Sequence, residues 1–217
     1  MLAEGAVEKT WVSKYVLDKL ADGRPHQGIC LDASPLSVPD LDLSENLIIS
    51  QTLNKGRFPV WLLPYRVKDP QNLGAMLRSS YFLGVEQVVI PTVHTCPLNS
   101  MTSKASSGAM EVMKLSQIKN DKAIMQFLQK WKDSGGKVIG ATLEKDIELK
   151  PIDQYAVEHP TLLIVGNEEK GIKHNISSVC DSHTCISPAE NIHPMLDSLN
   201  VSVATGILLY HLTKYES

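Results

Sequence analysis

Val60-Trp61-Leu62-Leu63, then Asn72-Leu73-Gly74-Ala75-Met76-Leu77-Arg78-Ser79, then Gln87-Val88-Val89-Ile90, decide the fold of this chain. The outer two are short continuous apolar runs bounded by turn residues, as strands buried on both faces read. Between them, residues 72–83 place Leu73, Met76 and Leu77 on one face of a helix. Downstream the alternation continues with a helix over 102–110, a strand over 112–115 and apolar strand-like runs over 137–142 and 161–165. The clearest helix spans 121–134, where Ile124, Phe127, Leu128 and Trp131 follow the i, i+3, i+4, i+7 rule and Gly135-Gly136 ends it. A last helix covers 200–212. Such alternation predicts an α/β fold with a mainly parallel sheet and helices on both faces.

Upstream of this pattern, residues 7–22 carry Val7, Trp11, Tyr15, Val16 and Leu20 near helical spacing, and Gly23-Arg24-Pro25 stops that helix. Residues 32–46 are rich in Pro, Asp and Glu and read as a connector. The expected organisation is therefore an N-terminal helix and linker over 1–45 followed by one domain over 46–217.

With 43% hydrophobic and 21% charged residues in 217, the chain can bury one substantial core. No apolar run approaches the about 20 residues that span a bilayer, so no membrane role is expected. Cys30, Cys96, Cys180 and Cys185 form no Cys-x-x-Cys pair and the histidines no His-Glu-x-x-His, so no metal is expected and the thiols read as free. A net charge of −3 requires that any nucleic-acid contact rest on a local basic patch, a second subunit or another module. The first strand is not followed by Gly-x-Gly-x-x-Gly, which speaks against nicotinamide-dinucleotide chemistry.

Three constellations carry chemistry. In the first, Asn72 either caps a helix or holds a side chain, Gly74 permits close approach of backbone or ligand, and Arg78 follows farther along the helix. In the second, Gly166-Asn167-Glu168-Glu169-Lys170-Gly171 directly follows the strand Leu162-Leu163-Ile164-Val165, where open α/β sheets bind ligands. In the third, Ser198-Leu199-Asn200 opens the last helix, with Ser198 as its expected N-cap and free backbone N–H groups beside it. Singly, each also fits an ordinary capped helix or polar turn.

Together, Asn-x-Gly-x-x-x-Arg, Gly-Asn-Glu-x-x-Gly and Ser-Leu-Asn-Val-Ser-x-Ala, in this order, resemble the SpoU branch of the knotted RNA methyltransferases, over roughly residues 58–215. Arg24-Pro25-His26-Gln27-Gly28 and Ser103-Lys104-Ala105-Ser106-Ser107-Gly108-Ala109 resemble the members that methylate guanosine riboses in large-subunit ribosomal RNA, the mitochondrial group above all. The resemblance implies a Rossmann-like sheet with a C-terminal trefoil knot, S-adenosyl-L-methionine as cofactor, a homodimer that builds the active site, and a mitochondrial location.

Carried onto this sequence, it implies a catalytic shell of Asn72, Arg78, Glu168, Ser198 and Asn200, and a cofactor pocket of Thr142, Gly166, Asn167, Ile186 and Leu199. Lys104, Lys170 and Lys173 are the implied RNA contacts, and residues 1–45 resemble the tail of an RNA-recognition domain. One departure stands out, since relatives often place proline directly after the position of Ile186, whereas this chain reads Ile186-Ser187-Pro188. The competing functions are a binding-only assembly factor that retains the fold, and a transfer-RNA 2′-O-methyltransferase.

Overall fold

A computed structural model describes residues 8–43, 57–144, 146–167, 170–191, 193, 195 and 198–214. The chain divides into two units, Met1–Pro35 and Leu36–Ser217.

In the first unit Val7 lies outside the described residues, and over residues 8–22 the expected helix covers only α1 (Lys14–Leu20), none of whose residues is buried. Trp11, Tyr15 and Leu20 are all exposed, so among the described residues of this unit the apolar spacing gains no burial that would extend the helix. The helix ends at Leu20 with Ala21 as its C-cap, earlier than the expected stop at Gly23-Arg24-Pro25, and Asp22 and Gly23, at φ 53° and 68°, turn the chain away.

The division falls within the connector, ahead of the expected residue 45, because residues 39–41 of the connector are hydrogen-bonded into the larger unit. Leu41 N–H donates to the Gln117 carbonyl and Gln117 N–H to the Pro39 carbonyl, and Lys119 pairs with Asp40 at 2.9 Å. This acidic, proline-containing stretch thus covers the edge of the sheet that would otherwise lie open.

In the larger unit the elements run β1 (Val60–Pro64), α2 (Pro70–Phe82), β2 (Gln87–Pro91), α3 (Ser100–Ser106), α4 (Ala109–Val112), β3 (Leu115–Ile118), α5 (Asp121–Asp133) and β4 (Lys137–Ala141). They continue with β5 (Leu149–Pro151), a 3-10 turn (Ile152–Gln154), β6 (Thr161–Val165), α6 (His174–Ser177), β7 (Ser182–Cys185) and α7 (Val201–Thr213). The strands form one seven-stranded sheet in the order β3-β2-β1-β6-β4-β7-β5, and every pairing is parallel.

Two expectations need correction. Residues 102–110 are not one helix: Ser107 and Gly108 sit at φ 52° and 88°, break it, and let α4 restart at Ala109. That restart carries Val112 into helix and moves the expected 112–115 strand onward to Leu115–Ile118, whose polar Ser116 is satisfied by Gln87 Nε2 at 2.7 Å.

Period-two alternation distributes the strand residues between two cores. Val60, Leu62, Leu163 and Val165 pack with Leu73, Met76 and Leu77 of α2 and Leu208, Leu209 and Leu212 of α7. Trp61, Leu63, Leu162 and Ile164 pack on the other face with Ile124, Phe127, Leu128 and Trp131 of α5. There the Trp61 and Trp131 rings lie 4.9 Å apart. Helices thus cover both faces, and the parallel strands all present their C-terminal ends to one rim.

Candidate active site

Three strand ends on that rim, Ala141 of β4, Val165 of β6 and Cys185 of β7, open onto a cavity of about 650 Å³. The start of α7 closes its side through Val201 and Ala204. Crevices of this kind, outside the carboxyl ends of parallel strands, are where open α/β sheets hold ligands.

Thr142, Gly166, Asn167, Lys170, Ile186, Ser198 and Leu199, all singled out from sequence, line this cavity. Each is held there for a local reason. At the end of β4, Thr142 N–H donates to the Thr184 carbonyl and its hydroxyl accepts from Glu144 N–H at 3.2 Å, which turns the chain over the rim. Gly166 is required by crowding, because a Cβ there would lie 2.7 Å from the Gly171 carbonyl oxygen. Asn167 closes the turn: its carbonyl accepts from Gly171 N–H at 2.8 Å, its Oδ1 accepts from Lys170 N–H, and its Nδ2 donates to the Arg66 carbonyl. The Asn167 side chain therefore braces the turn against the segment after β1.

At the mouth of α7 the expected cap is corrected. Asn200, not Ser198, is the N-cap, its Oδ1 accepting from Ser202 N–H at 2.9 Å and Val203 N–H at 3.4 Å. Ser198 lies too far ahead of the first helical N–H groups for that role, and faces the cavity instead. Asn72 likewise does not cap α2, since Asp69 does so by accepting from Gln71 N–H at 2.8 Å. Asn72 holds a side chain: Asn200 Nδ2 donates to Asn72 Oδ1 at 3.0 Å. Gly74 allows the closest approach in this region, for a Cβ there would sit 2.6 Å from the Thr102 carbonyl oxygen of α3.

Other expected residues lie elsewhere. Arg78 projects from α2 as an exposed side chain, has no hydrogen bond or ion pair among the described residues, and does not line the cavity. Lys104 is exposed on α3, and Lys173 is committed to Asp121 at 2.6 Å; neither lines the cavity. Glu168 lies outside the described residues.

Sequence reasoning missed Leu143 and Glu144, and it named Ser187 and Pro188 only as a departure from relatives; all four line the cavity. Glu144 is the one carboxylate among the described lining residues. Pro188, one position later than relatives suggest, still reaches the cavity. At the end of β7, burial, reinforced by the Asp153 carboxylate, pushes the Cys185 thiol pKa up and so disfavours its thiolate. Among the described residues there is no cluster of His, Cys, Asp or Glu able to hold a metal, and no helix long and apolar enough to cross a membrane.

Residues 59–210 match the sequence model of the SpoU rRNA Methylase family. The rRNA methyltransferase 1, mitochondrial, of Dictyostelium discoideum is 35% identical, over 93% of this chain and 41% of its own length. This chain therefore spans less than half of that relative. The 23S rRNA (guanosine-2′-O-)-methyltransferase RlmB of Shewanella oneidensis is 33% identical, over 93% of this chain and 76% of its own. An AdoMet-bound rRNA methyltransferase from Sinorhizobium meliloti shares the fold, with a TM-score of 0.61 at 22% identity over 71% of this chain and 55% of that one. A match that takes in β1, the glycine turn and α7 alike leaves one assignment: the chain belongs to the SpoU rRNA methylase family.

Proposed function

We propose that this chain is an S-adenosylmethionine-dependent RNA 2′-O-ribose methyltransferase whose substrate is a guanosine of mitochondrial large-subunit ribosomal RNA. The observation that carries the reading is convergence. Thr142, Gly166, Ile186 and Leu199, from four separate segments, line one cavity, and the Asn72–Asn200 contact lies at the helix mouth beside it.

The residues fit the cofactor. A cavity of about 650 Å³ suits a ligand of that size, Leu143, Val165, Ile186 and Leu199 give it apolar walls for a purine, and the strand-end backbone offers donors and acceptors for the ring edge. Bound there, the cofactor supplies a sulfonium methyl that is already electrophilic. What the protein adds is positioning of the ribose and an outlet for its hydroxyl proton.

Arginine, whose guanidinium keeps its proton in proteins, is a poor base. The planar fork of Arg78 instead grips the RNA phosphate beside the target ribose, stabilising negative charge as it develops, while that phosphate or a water takes the proton. Glu168 orients Asn72 or Arg78, and Ser198 and Asn200 hold the loop that presents the methyl group. Lys104 and Lys170 contact the RNA backbone.

In this reading Arg78 reaches a cavity it does not line because the enzyme is a homodimer and each site draws Arg78 from the other subunit. Two surfaces support it. Tyr81 and Phe82 of α2, and Val203 and Tyr210 of α7, are exposed apolar side chains on helices that flank the site. The family's trefoil knot would be formed by the segment after β7 that brings Leu199 to the cavity, and residues 1–45 would belong to an RNA-recognition region.

The decisive experiment supplies labelled S-adenosylmethionine with organellar rRNA and with the same RNA carrying a 2′-deoxy target. Label is expected on the ribose of the first only. Calorimetry showing no cofactor binding at millimolar concentration would favour the binding-only assembly factor, and labelling of transfer RNA alone would move the substrate.

A further inference from the structure

Helices α2 and α7 run side by side in the same direction. Asn200 meets Asn72 at their starts, and farther along a Cβ on Gly206 would stand 3.7 Å from Ser79 Oγ. Their C-terminal ends consequently also come together, and one guanidinium joins them. Arg57 Nη1 donates to the carbonyl of Thr213, the last residue of α7, at 2.6 Å, and to the carbonyl of Leu83, which caps α2, at 3.2 Å. Arg57 Nη2 donates to the Gly84 carbonyl at 2.9 Å.

The physical logic is specific to arginine. Helix ends leave carbonyls without intrahelical partners and carry partial negative charge, so two parallel helices converge two such ends at one point. A rigid planar fork with several donors can satisfy both at once, whereas a lysine ammonium is a point charge on a flexible stem. Gly84 reserves the room: it turns the chain at φ 72°, and a Cβ there would run into Arg57 Nη2.

Resting on the methyltransferase reading, we propose that Arg57 is a positioning residue, which fixes how far α7 lies along α2 and thereby aligns Asn200 with Asn72 at the site. Each helix is a rod of about 20 Å that transmits axial displacement with little give. A slide of one residue, about 1.5 Å, would break a hydrogen bond of 3.0 Å at the far end. Arg57 is not among the residues that line the cavity, and its hydrogen bonds to Leu83, Gly84 and Thr213 couple it to the ends of the two helices.

The test compares Arg57→Gln, which removes the charge and most of the fork, with Arg57→Lys, which keeps the charge alone. In ¹H–¹⁵N spectra the Asn200 side-chain amide is expected to shift and exchange faster in Arg57→Gln, with partial recovery in Arg57→Lys. In the methyl-transfer assay kcat falls roughly tenfold or more while KM for S-adenosylmethionine stays within about twofold. Combining Arg57→Gln with Asn200→Asp costs no more than Asn200→Asp alone.

An unmoved Asn200 amide, or penalties that simply multiply, overturns the proposal. Should Arg57→Gln fail to fold, Arg57→Lys carries the same comparison. A wild-type protein that transfers no methyl group, yet shows the amide shift in the variants, sinks the methyltransferase reading and leaves the role of Arg57 in alignment standing.

Discussion

Asn200 donates from Nδ2 to Asn72 Oδ1 at 3.0 Å while its own Oδ1 accepts from Ser202 and Val203 N–H, so one amide both caps α7 and joins it to α2. Substitution separates the two duties. Asn200→Asp keeps the accepting oxygen and places a negative charge at a helix start, so its stability stays within about 0.5 kcal/mol of wild type, whereas Asn200→Ala loses about 1 kcal/mol. Both lose the donation to Asn72, and both are expected to lower kcat roughly tenfold or more. Wild-type turnover in Asn200→Asp, measured beside its denaturation curve, would show the contact to be irrelevant.

Arg78 makes the opposite case. Because it is exposed and has no polar partner among the described residues, Arg78→Ala should change stability by less than about 0.5 kcal/mol and leave cofactor binding intact. Methyl transfer to RNA should be lost. Retained turnover on authentic rRNA would remove Arg78 from the mechanism.

Gly166→Ala tests the turn. The added Cβ, 2.7 Å from the Gly171 carbonyl oxygen, forces the loop open at a cost of about 1–3 kcal/mol. Calorimetric titration should register cofactor affinity reduced at least about tenfold, and an unchanged dissociation constant would mean that the turn does not shape the pocket.

Beside the glycine turn, Lys173 Nζ and Tyr65 Oη both donate to Asp121. Burial works to raise the Asp121 carboxyl pKa, yet these hydrogen bonds outweigh it and hold it below the ordinary carboxylate range. That stability is fully present above about pH 4 and is lost as pH falls through the lowered folded-state value. For Tyr65, burial first and then the Asp121 charge push the phenol up to about 12. Its contribution holds below about pH 10 and disappears as pH rises through the raised value. Melting curves should show Asp121→Asn flattening the acid limb and Tyr65→Phe the alkaline limb. Limbs of unchanged slope would contradict this assignment.

Much of the architecture was legible because buried parallel strands are continuous apolar runs: Val60-Trp61-Leu62-Leu63 and Leu162-Leu163-Ile164-Val165 could hardly lie anywhere but in the centre of a sheet. β7 was not legible. Its Ser182-His183-Thr184-Cys185 is polar and acquires strand form from its neighbours, with Thr184 Oγ1 satisfied by the Lys150 carbonyl at 2.8 Å. The cavity residues came from motif resemblance, while Leu143 and Glu144 escaped it because their place depends on how the chain turns after β4. The cap of α7 was misplaced by two residues, since Ser198 and Asn200 are both good caps and only geometry chooses between them.

The pairing of Val60 with Thr161 has a consequence for biogenesis. Until the stretch ending at Val165 has left the ribosome, the nascent polypeptide carries β1 with one long side unsatisfied and nothing local to cover it. Such delayed closure makes the half-synthesised protein a natural client for holdase chaperones, and makes stalled or truncated translation products prone to aggregate.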